Sequence, residues 1–392
     1  MPSTTNPVTI SSLIKQDLPQ AYFQPAWPSS YGPKEYKFLN DKKYRVFDHP
    51  AYPLSLLSRQ IPWQLLITAG SEVPFLLDTA PPEYLTSHWK KWIPQFAPAT
   101  IKPIEEGLAD EVRIVTLGAL QCIPAKKHAV HPDMHYKLQL KSTIQHIKVP
   151  FPRYMSESEV TFPCLLKVDQ SWGGHGHRKA DTPNELQTIL TDLRENLNWN
   201  GGYVLQEYIA GVKSVPGSTF YLNKAGEVTW LGTDVGGYDE HFKVTSMILD
   251  WDQQEELRES IYDEFVIPIK NYLHNRGYFG FVIIEVMITE HGRYLCDINT
   301  RASVNTCQLL IAPFMAEKGY TKSTDTSSQE PFKFGSERLV AKANEINSRD
   351  AGIVLIQSVL DRDDAPGCIA DFLVFAKSHD EVQALSEKLA NA

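Results

Sequence analysis

Two acidic residues inside apolar runs are the first candidates for chemistry in this sequence. The runs 279–288 and 294–298 are rich in β-branched and aromatic residues and flank a short turn that contains glycine, which predicts a β-hairpin. Glu285 lies in the first run and Asp297 in the second. Asn299 follows Asp297 by two residues, so the alternation of a strand places both on the same face.

A buried strand rarely carries a carboxylate, because burial of an unpaired charge costs several kcal/mol. Glu285, Asp297 and Asn299 together offer hard oxygen ligands, which are the type that Mg²⁺ takes alongside nucleotide phosphates. The alternative is structural: Glu285 pairs with a core arginine and Asp297 caps a turn. The order of residues after the hairpin favours the metal interpretation.

That order, formed by Asp297, Asn299 and Arg301, resembles the metal-binding end of the ATP-grasp superfamily, which includes D-alanine–D-alanine ligase and biotin carboxylase. The family more often has Asp first and Glu second, so this chain has the pair reversed. The resemblance implies that Glu285, Asp297 and Asn299 bind Mg²⁺, with Mn²⁺ as the alternative. It also implies that Arg301 is catalytic and holds the substrate carboxylate or the transferring phosphoryl group.

The composition limits the classes of function. The chain has 392 residues and a net charge of -9, which disfavours a nucleic-acid surface. Its five cysteines are widely spaced and predict a reducing, cytoplasmic setting without a disulfide framework. An apolar run of about 18 residues, as a membrane span needs, does not occur, and the first residues do not read as a signal peptide.

The first part of the chain predicts a small parallel α/β domain. Residues 1–60 are rich in proline and predict an irregular leader with a helix around 52–60. Strands are expected at 63–70 and 112–118, with a helix at 82–96 between them. Neither strand is followed by a dinucleotide-binding glycine motif.

A lysine inside a strand and a glycine-rich loop follow in the middle of the chain. A helix is predicted over 133–149, and the resemblance assigns a phosphate-contacting lysine near its start. Lys137 fits best and Lys141 is the alternative, while a solvated helix face would explain both. The resemblance implies that Lys167, in a predicted strand, contacts the α- or β-phosphate and that the next loop closes over the nucleotide. The loop residues assigned to the nucleotide are Ser171, Gly173, Gly174, His175 and Gly176.

The strand that begins at Tyr203 resembles the hinge between the two lobes of the family. By this register the adenine edge is met by Gln206, Glu207, Tyr208 and Ile209. Lys213 stands where the family has an acid that reads the ribose, so this cofactor-binding position departs from the pattern. Lys243 follows a Tyr-Asp-containing loop and fits a phosphate-contacting, catalytic lysine, with a solvent-exposed loop as the equal alternative.

The resemblance implies an ATP-grasp fold of class α/β (α+β), in which two α+β lobes grip ATP after a small parallel pre-ATP-grasp domain. The expected regions are a leader and α/β domain at 1–130, a small lobe at 131–210, a central lobe with the metal site at 211–320 and a C-terminal α/β extension at 321–392.

The implied activity is an ATP-dependent carboxylate–amine ligase that works through an acyl phosphate and releases ADP and phosphate. A kinase or carboxylase on the same fold is an alternative, and so is a non-catalytic ATP-binding regulator, which Lys213 favours. The expected partners are a small-molecule carboxylate and an amine, without nucleic acid or membrane, and a homodimer is left open.

Overall fold

Three β-sheets organise the protein. The computed structural model describes residues 7–238, 244–327 and 331–391, and its strands form two four-stranded sheets and one eight-stranded sheet. Helices pack against these sheets throughout the described chain. The predicted α/β class is therefore confirmed.

The first sheet is parallel, as the sequence predicted, with the strand order β3-β2-β1-β4. Its strands are β1 (Ala21–Gln24), β2 (Phe75–Leu76), β3 (Ile101–Lys102) and β4 (Arg113–Thr116). The helices up to the end of this region are α1 (Ile10–Asp17), α2 (Ile61–Gln64), α3 (Glu83–Trp92), α4 (Ile104–Ala109) and α5 (Pro132–Leu138).

Two predictions for this region are wrong. The leader is not irregular throughout, because β1 lies inside the parallel sheet and α1 precedes it. The strand predicted at 63–70 is helical: α2 has Pro62 in its first turn, and a further helical turn spans Leu66–Thr68. Residues Leu65, Leu66 and Ile67 are all buried, and a short run that is apolar on every side fits a buried helix as well as a buried strand.

The second sheet is antiparallel and has the order β5-β8-β6-β7. Its strands are β5 (Tyr154–Met155), β6 (Cys164–Val168), β7 (His177–Ala180) and β8 (Tyr203–Glu207). Helix α6 (Pro183–Thr191) begins where the Thr182 side chain accepts a hydrogen bond from the backbone of Glu185. It continues into a wide, π-helical turn at Asp192–Asn196.

The third sheet is antiparallel and has the order β13-β12-β9-β10-β11-β14-β16-β15. Its strands are β9 (Pro216–Leu222), β10 (Val228–Tyr238), β11 (Val244–Asp250), β12 (Gly280–Ile288), β13 (Arg293–Asn299), β14 (Lys322–Ser327), β15 (Gly352–Asp361) and β16 (Cys368–Ala376). Its helices are α7 (Gln254–Ile261), α8 (Ile267–His274), α9 (Val304–Glu317), α10 (Ser336–Arg349) and α11 (His379–Ala390). Because β11 pairs with β14, strands from before and after residue 320 belong to one sheet.

The leader also contacts the second sheet region. The Arg45 guanidinium donates to the carbonyl of Asn198 at 2.7 Å and stacks on the rings of Tyr31 and Trp199. The backbone N–H of Phe47 donates to the carbonyl of Gln170 at 2.8 Å. The first segment of the chain is thus packed along the lobe that carries Lys167. Within the described ranges, none of the helices has the length and apolar character needed to cross a bilayer.

Candidate functional site

The predicted hairpin is present and brings the two acids together. Strands β12 and β13 pair antiparallel with Glu285 directly opposite Asp297. Asn299 pairs with Ile283, two residues from Glu285, so all three polar side chains share one face. A bulge at Cys296 interrupts the register just beyond this pair. The site therefore begins as two partly buried carboxylates side by side.

Two buried lysines surround the carboxylate pair. Lys141 is 3% exposed, and its Nζ lies 2.6 and 2.7 Å from the two oxygens of Asp297. Lys167 is 5% exposed and donates from Nζ to the carbonyl of Cys296 at 3.0 Å. Lys137 is exposed on the surface. Of the two lysines considered from the sequence, the structure places Lys141 in the site.

The helix predicted over 133–149 ends early, and the break in the helix places Lys141 beside Asp297. Helix α5 stops at Leu138, and a short 3₁₀ segment follows at Lys141–His146. The backbone N–H of Lys141 donates to the carbonyl of Asp169, and Ser142 donates to the Asp169 carboxylate from both its N–H and its hydroxyl. These tertiary bonds replace those of a continuing helix and turn Lys141 towards Asp297.

The carboxylates have opposite pKa shifts. Burial raises the pKa of Glu285 to about 7, and the neighbouring charge of Asp297 adds to this effect. Burial also acts on Asp297, but the ammonium groups of Lys141 and Lys167 outweigh it and hold the Asp297 pKa below its usual value. The pair can therefore hold one proton near neutral pH in the absence of a further cation.

The glycine-rich loop lies next to Lys167. Gly173, Gly174 and Gly176 have φ angles of +61°, +78° and +80°, which are left-handed values that favour glycine. Ser171 is buried and its hydroxyl lacks a hydrogen-bond partner. His175 contacts the leader, with Nε2 2.8 Å from the hydroxyl of Tyr52. The predicted loop residues are thus contiguous with the site, and the leader packs against them.

Arg301 joins the hairpin to this loop. Its guanidinium stacks on the ring of Trp172 at 4.3 Å and on Trp27 at 5.5 Å, and it donates to Asn299 Oδ1 at 3.1 Å. Burial lowers the Arg301 pKa to about 10, while Asp297 and Glu285 oppose the shift. The Arg301 guanidinium therefore stays charged at neutral pH, and its stacking and hydrogen bond hold it beside Asn299.

The predicted hinge strand is β8. Gln206 is 1% exposed, and its Nε2 has no hydrogen-bond partner. Glu207 accepts from the N–H of Arg153 at 2.8 Å, and Tyr208 lies under the ammonium of Lys179.

The remaining predicted positions lie apart from that strand. Ile209 is half-buried just beyond it. Lys213 is exposed and forms an ion pair with Glu290 at 3.0 Å, at the turn of the β12–β13 hairpin. Lys243 lies outside the described residues.

Comparisons with known structures identify the architecture. An N5-carboxyaminoimidazole synthetase from Staphylococcus aureus, solved with ADP, aligns over 95% of this chain and 98% of its own, with a TM-score of 0.55 and 11% identity. An L-amino acid ligase from Bacillus licheniformis aligns over 81% and 91%, with a TM-score of 0.51 and 12% identity. The chain has the ATP-grasp fold. At these identities the likeness is one of fold.

Sequence comparison adds one short match. Biotin carboxylase 2 of the chloroplast from Populus trichocarpa is 25% identical over 170 residues, which is 42% of this chain and 30% of the poplar enzyme. The match thus spans less than a third of that relative. No protein-family profile matches the chain.

Three side chains of the β12–β13 hairpin carry the oxygen donors that Mg²⁺ takes in proteins. Glu285, Asp297 and Asn299 supply two carboxylates and an amide oxygen on one face, and Mg²⁺ typically takes one or two carboxylates and completes its shell with water and phosphates. In this structure the Asp297 oxygens contact Lys141 and Asn299 Oδ1 accepts from Arg301, so a cation would take these oxygens over from the two basic groups. In the described ranges, a group of three or more His, Cys, Asp or Glu suited to a metal is not found. A cation at this site would complete its shell with water or phosphate oxygens.

Three groups near the acids were not assigned from the sequence. His177 pairs across from Lys167, and burial, followed by the charges of Lys167 and Lys141, lowers the pKa of His177 well below its usual value. The hydroxyl of Tyr238 lies 3.4 Å from Glu285 Oε2. Asp234 is fully buried on β10. A carboxylate in a buried strand was the signal used for Glu285, and it could have found Asp234.

Proposed function

We propose that the protein is an ATP-dependent carboxylate–amine ligase that forms an amide bond through an acyl phosphate. The proposal rests on one observation: two adjacent carboxylates, Glu285 and Asp297, are surrounded by the buried lysines Lys141 and Lys167 in an ATP-grasp fold. Positive groups beside paired acids suit a metal-bound polyphosphate, because the lysines contact phosphate oxygens and the acids hold the cation.

The residues of the chain take distinct roles in this proposal. The backbone of Gln206 to Ile209 meets the adenine, and N–H groups of the loop from Ser171 to Gly176 lie over the phosphates. Glu285, Asp297 and Asn299 would hold Mg²⁺, which when bound neutralises charge on the phosphates.

Lys167 and Lys141 hold the phosphates, with Lys137 exposed outside this group. Arg301 orients the substrate carboxylate, because its stacking on Trp172 fixes the guanidinium. Lys243 remains a proposed phosphate contact.

The proposed chemistry has two transfers. A carboxylate oxygen attacks the γ-phosphorus, and the bond from that phosphorus to ADP breaks. The neutral amine then attacks the acyl carbon, phosphate leaves, and the amine loses a proton. Positioning and charge stabilisation carry both transfers, without a covalent enzyme nucleophile.

A carboxylase is the second candidate, and the sequence match to a biotin carboxylase favours it. A non-catalytic ATP-binding protein is favoured by Lys213, which stands at the position of the usual ribose acid and pairs with Glu290. The paired acids weigh against the latter, because a regulator that never transfers phosphate has less need of them.

ADP release with Mg²⁺ and ATP separates these functions. Wild-type protein is assayed with carboxylic acids and amines, singly and in pairs, and with bicarbonate. We expect release that needs a carboxylate and an amine together and is lost in Glu285→Gln. Glu290→Gln, on the exposed turn of the same hairpin, is the matched control and should retain activity. Release with bicarbonate would establish a carboxylase, and release with one acceptor alone a kinase. Binding of ATP without release from any mixture would contradict the ligase.

A further inference from the structure

A second buried polar cluster lies on the sheet face that carries Glu285. In register, Glu285 pairs with Gly217 on β9, and Gly217 pairs with Asp234 on β10. Cross-strand partners share a face, so Asp234 points to the same side as Glu285, two strands away. A Cβ at Gly217 would lie 2.9 Å from Asp234 Oδ1, so this oxygen leans over the glycine towards the proposed nucleotide site.

Helix α9 covers this part of the sheet with amides. Asn305 is 1% exposed and donates from Nδ2 to Asp234 Oδ2 at 2.8 Å. Gln308, one turn further along α9, donates from Nε2 to the hydroxyl of Ser323 at 2.9 Å. Asp234, Asn305 and Gln308 form what we call the amide–acid cluster. Its members come from β10 and from α9, which follows directly after Arg301.

Three oxygen atoms of the amide–acid cluster lack a hydrogen-bond donor. Asp234 Oδ1, Asn305 Oδ1 and Gln308 Oε1 are all buried and have no hydrogen-bond partner. An unsatisfied buried acceptor is costly, and each one in a native fold calls for a ligand or another reason. Within 7–238, 244–327 and 331–391, Asp234 forms no ion pair with a lysine, arginine or histidine. Burial raises the pKa of Asp234 to about 7, which agrees with a carboxylate that lacks its counter-charge.

A further buried acid lies on this face, and burial together with the neighbouring Asp371 and Asp234 raises the pKa of Asp325 well above its usual value. Asp325 on β14 pairs with Met247, which pairs with Gly236, two residues beyond Asp234. Asp325 is buried, and its Oδ2 also lacks a partner. β10 and β14 are separated by β11, and Asp325 is offset from Asp234 by two residues along the strands, so their Cα atoms lie about 12 Å apart. At this separation one metal ion does not contact both acids, so the acceptors available to a single cation are the oxygens of Asp234 and Asn305.

We propose that the amide–acid cluster binds the ammonium group of the amine substrate, with Asp234 Oδ1 and Asn305 Oδ1 as the acceptors. An ammonium group has three N–H donors and no acceptor, and it supplies the charge that Asp234 lacks. Before attack the bound ammonium gives one proton to the Asp234 carboxylate, and the resulting neutral amine is the nucleophile. The cluster disfavours bicarbonate, because an anion would be repelled by Asp234 and would find no donor there. This inference rests on the proposed ligase function. It assigns the amide–acid cluster as the binding site for the amine substrate of that reaction.

Binding of amines by the full-length chain tests the proposal. Affinities are measured by calorimetry with and without Mg²⁺ and a non-hydrolysable ATP analogue. The probes are the twenty common amino acids, ethanolamine and putrescine, and their derivatives with every amine acetylated serve as controls that lack an ammonium group. We expect at least one amine to bind, its N-acetyl derivative to bind at least tenfold more weakly, and Asp234→Asn to weaken the amine at least tenfold while ATP-analogue affinity is kept.

The matched control is Asp371→Asn. Asp371 is buried on the same sheet but accepts hydrogen bonds from Gln60 and Ser358, and we expect this variant to retain amine affinity. The inference is overturned if no probe amine binds, if N-acetyl derivatives bind equally well, or if Asp234→Asn keeps full amine affinity. Calcium or magnesium binding that is lost in Asp234→Asn, without amine binding, would also overturn it. Amine binding without ADP release would instead contradict the ligase alone.

Discussion

Replacement of Lys141 by methionine gives the sharpest test of how the site is held together. The ammonium of Lys141 contacts both oxygens of Asp297, and the side chain is almost completely buried. Methionine keeps most of the volume and removes the charge, which leaves Asp297 without its closest counter-ion next to Glu285. The exposed Lys137, four residues earlier in the chain, provides a matched control in Lys137→Met.

The expected size follows from the loss of one partner in a buried ion pair, which costs about 3–5 kcal/mol. Lys167 remains near Asp297 and lowers the Asp297 pKa as well, so the lower end, about 3 kcal/mol, applies. Unfolding entropy scales with length and is about 0.8 kcal/mol per kelvin for a chain of this size. The melting temperature of Lys141→Met should therefore fall by about 4 °C, while an exposed substitution such as Lys137→Met should change stability by no more than about 0.5 kcal/mol.

Scanning calorimetry at two pH values separates this cause from a packing defect. The folded-state pKa of Asp297 lies below its ordinary value of 3.8, so the ion pair stabilises above that pH and its contribution is lost as the pH falls through the folded pKa. The difference between Lys141→Met and wild type should be largest at pH 7 and should shrink near pH 3. A loss equal to that of Lys137→Met at pH 7, or a loss that does not depend on pH, would refute the reasoning.

Three other substitutions test neighbouring parts of the site. Glu285→Gln should abolish ADP release, and in the presence of a chelator at pH 8 it should melt at a higher temperature than wild type. The pKa of Glu285 is raised to about 7 in the folded protein, so wild-type stability falls as the pH rises from about 4.5 to 7. Equal melting temperatures at pH 8 would contradict this. Trp172→Leu should cost about 1–2 kcal/mol in calorimetry and lower kcat, because Arg301 loses a stacking partner at 4.3 Å, whereas an unchanged kcat would argue against positioning by the indole. Gly217→Ala should cost about 1–3 kcal/mol and weaken amine binding, because its Cβ would lie 2.9 Å from an Asp234 oxygen; unaltered amine affinity would show that this oxygen is not used.

Sequence reasoning worked best where a residue type was out of place in its element. Glu285 and Asp297 are acids in apolar strands, and the hairpin that pairs them was predicted from the flanking runs and the turn. The strand that carries Lys167 and the parallel first sheet were likewise present in the structure. Such features are visible locally, because strand alternation and turn chemistry act over a few residues.

Features set by distant contacts were not predictable in the same way. Lys141 enters the site because Asp169, 28 residues later, takes the backbone bonds that a continuing helix would have used. Residues 61–68 are helical and β1 lies inside a sheet because of contacts with residues distant in the sequence. A short apolar run does not indicate which distant residues it will contact. Asp234 was missed because glycine and polar residues surround it on β10, so its part of the strand does not form an apolar run in the sequence.

The pairing of β11 with β14 has a consequence for how the chain folds during synthesis. The central strands cannot complete their sheet until β14 to β16 have left the ribosome, and Trp89 of α3 donates to the carbonyl of Ile356 on β15. Helix α3 and strand β11 therefore lack their partners until β14 to β16 have been synthesised. This makes folding slow and leaves the apolar surfaces of the early elements exposed to aggregation during synthesis. Expression at low temperature with chaperones should raise the yield of native protein, and a shortened chain that stops before β14 should accumulate as aggregate with an unpaired β11 edge.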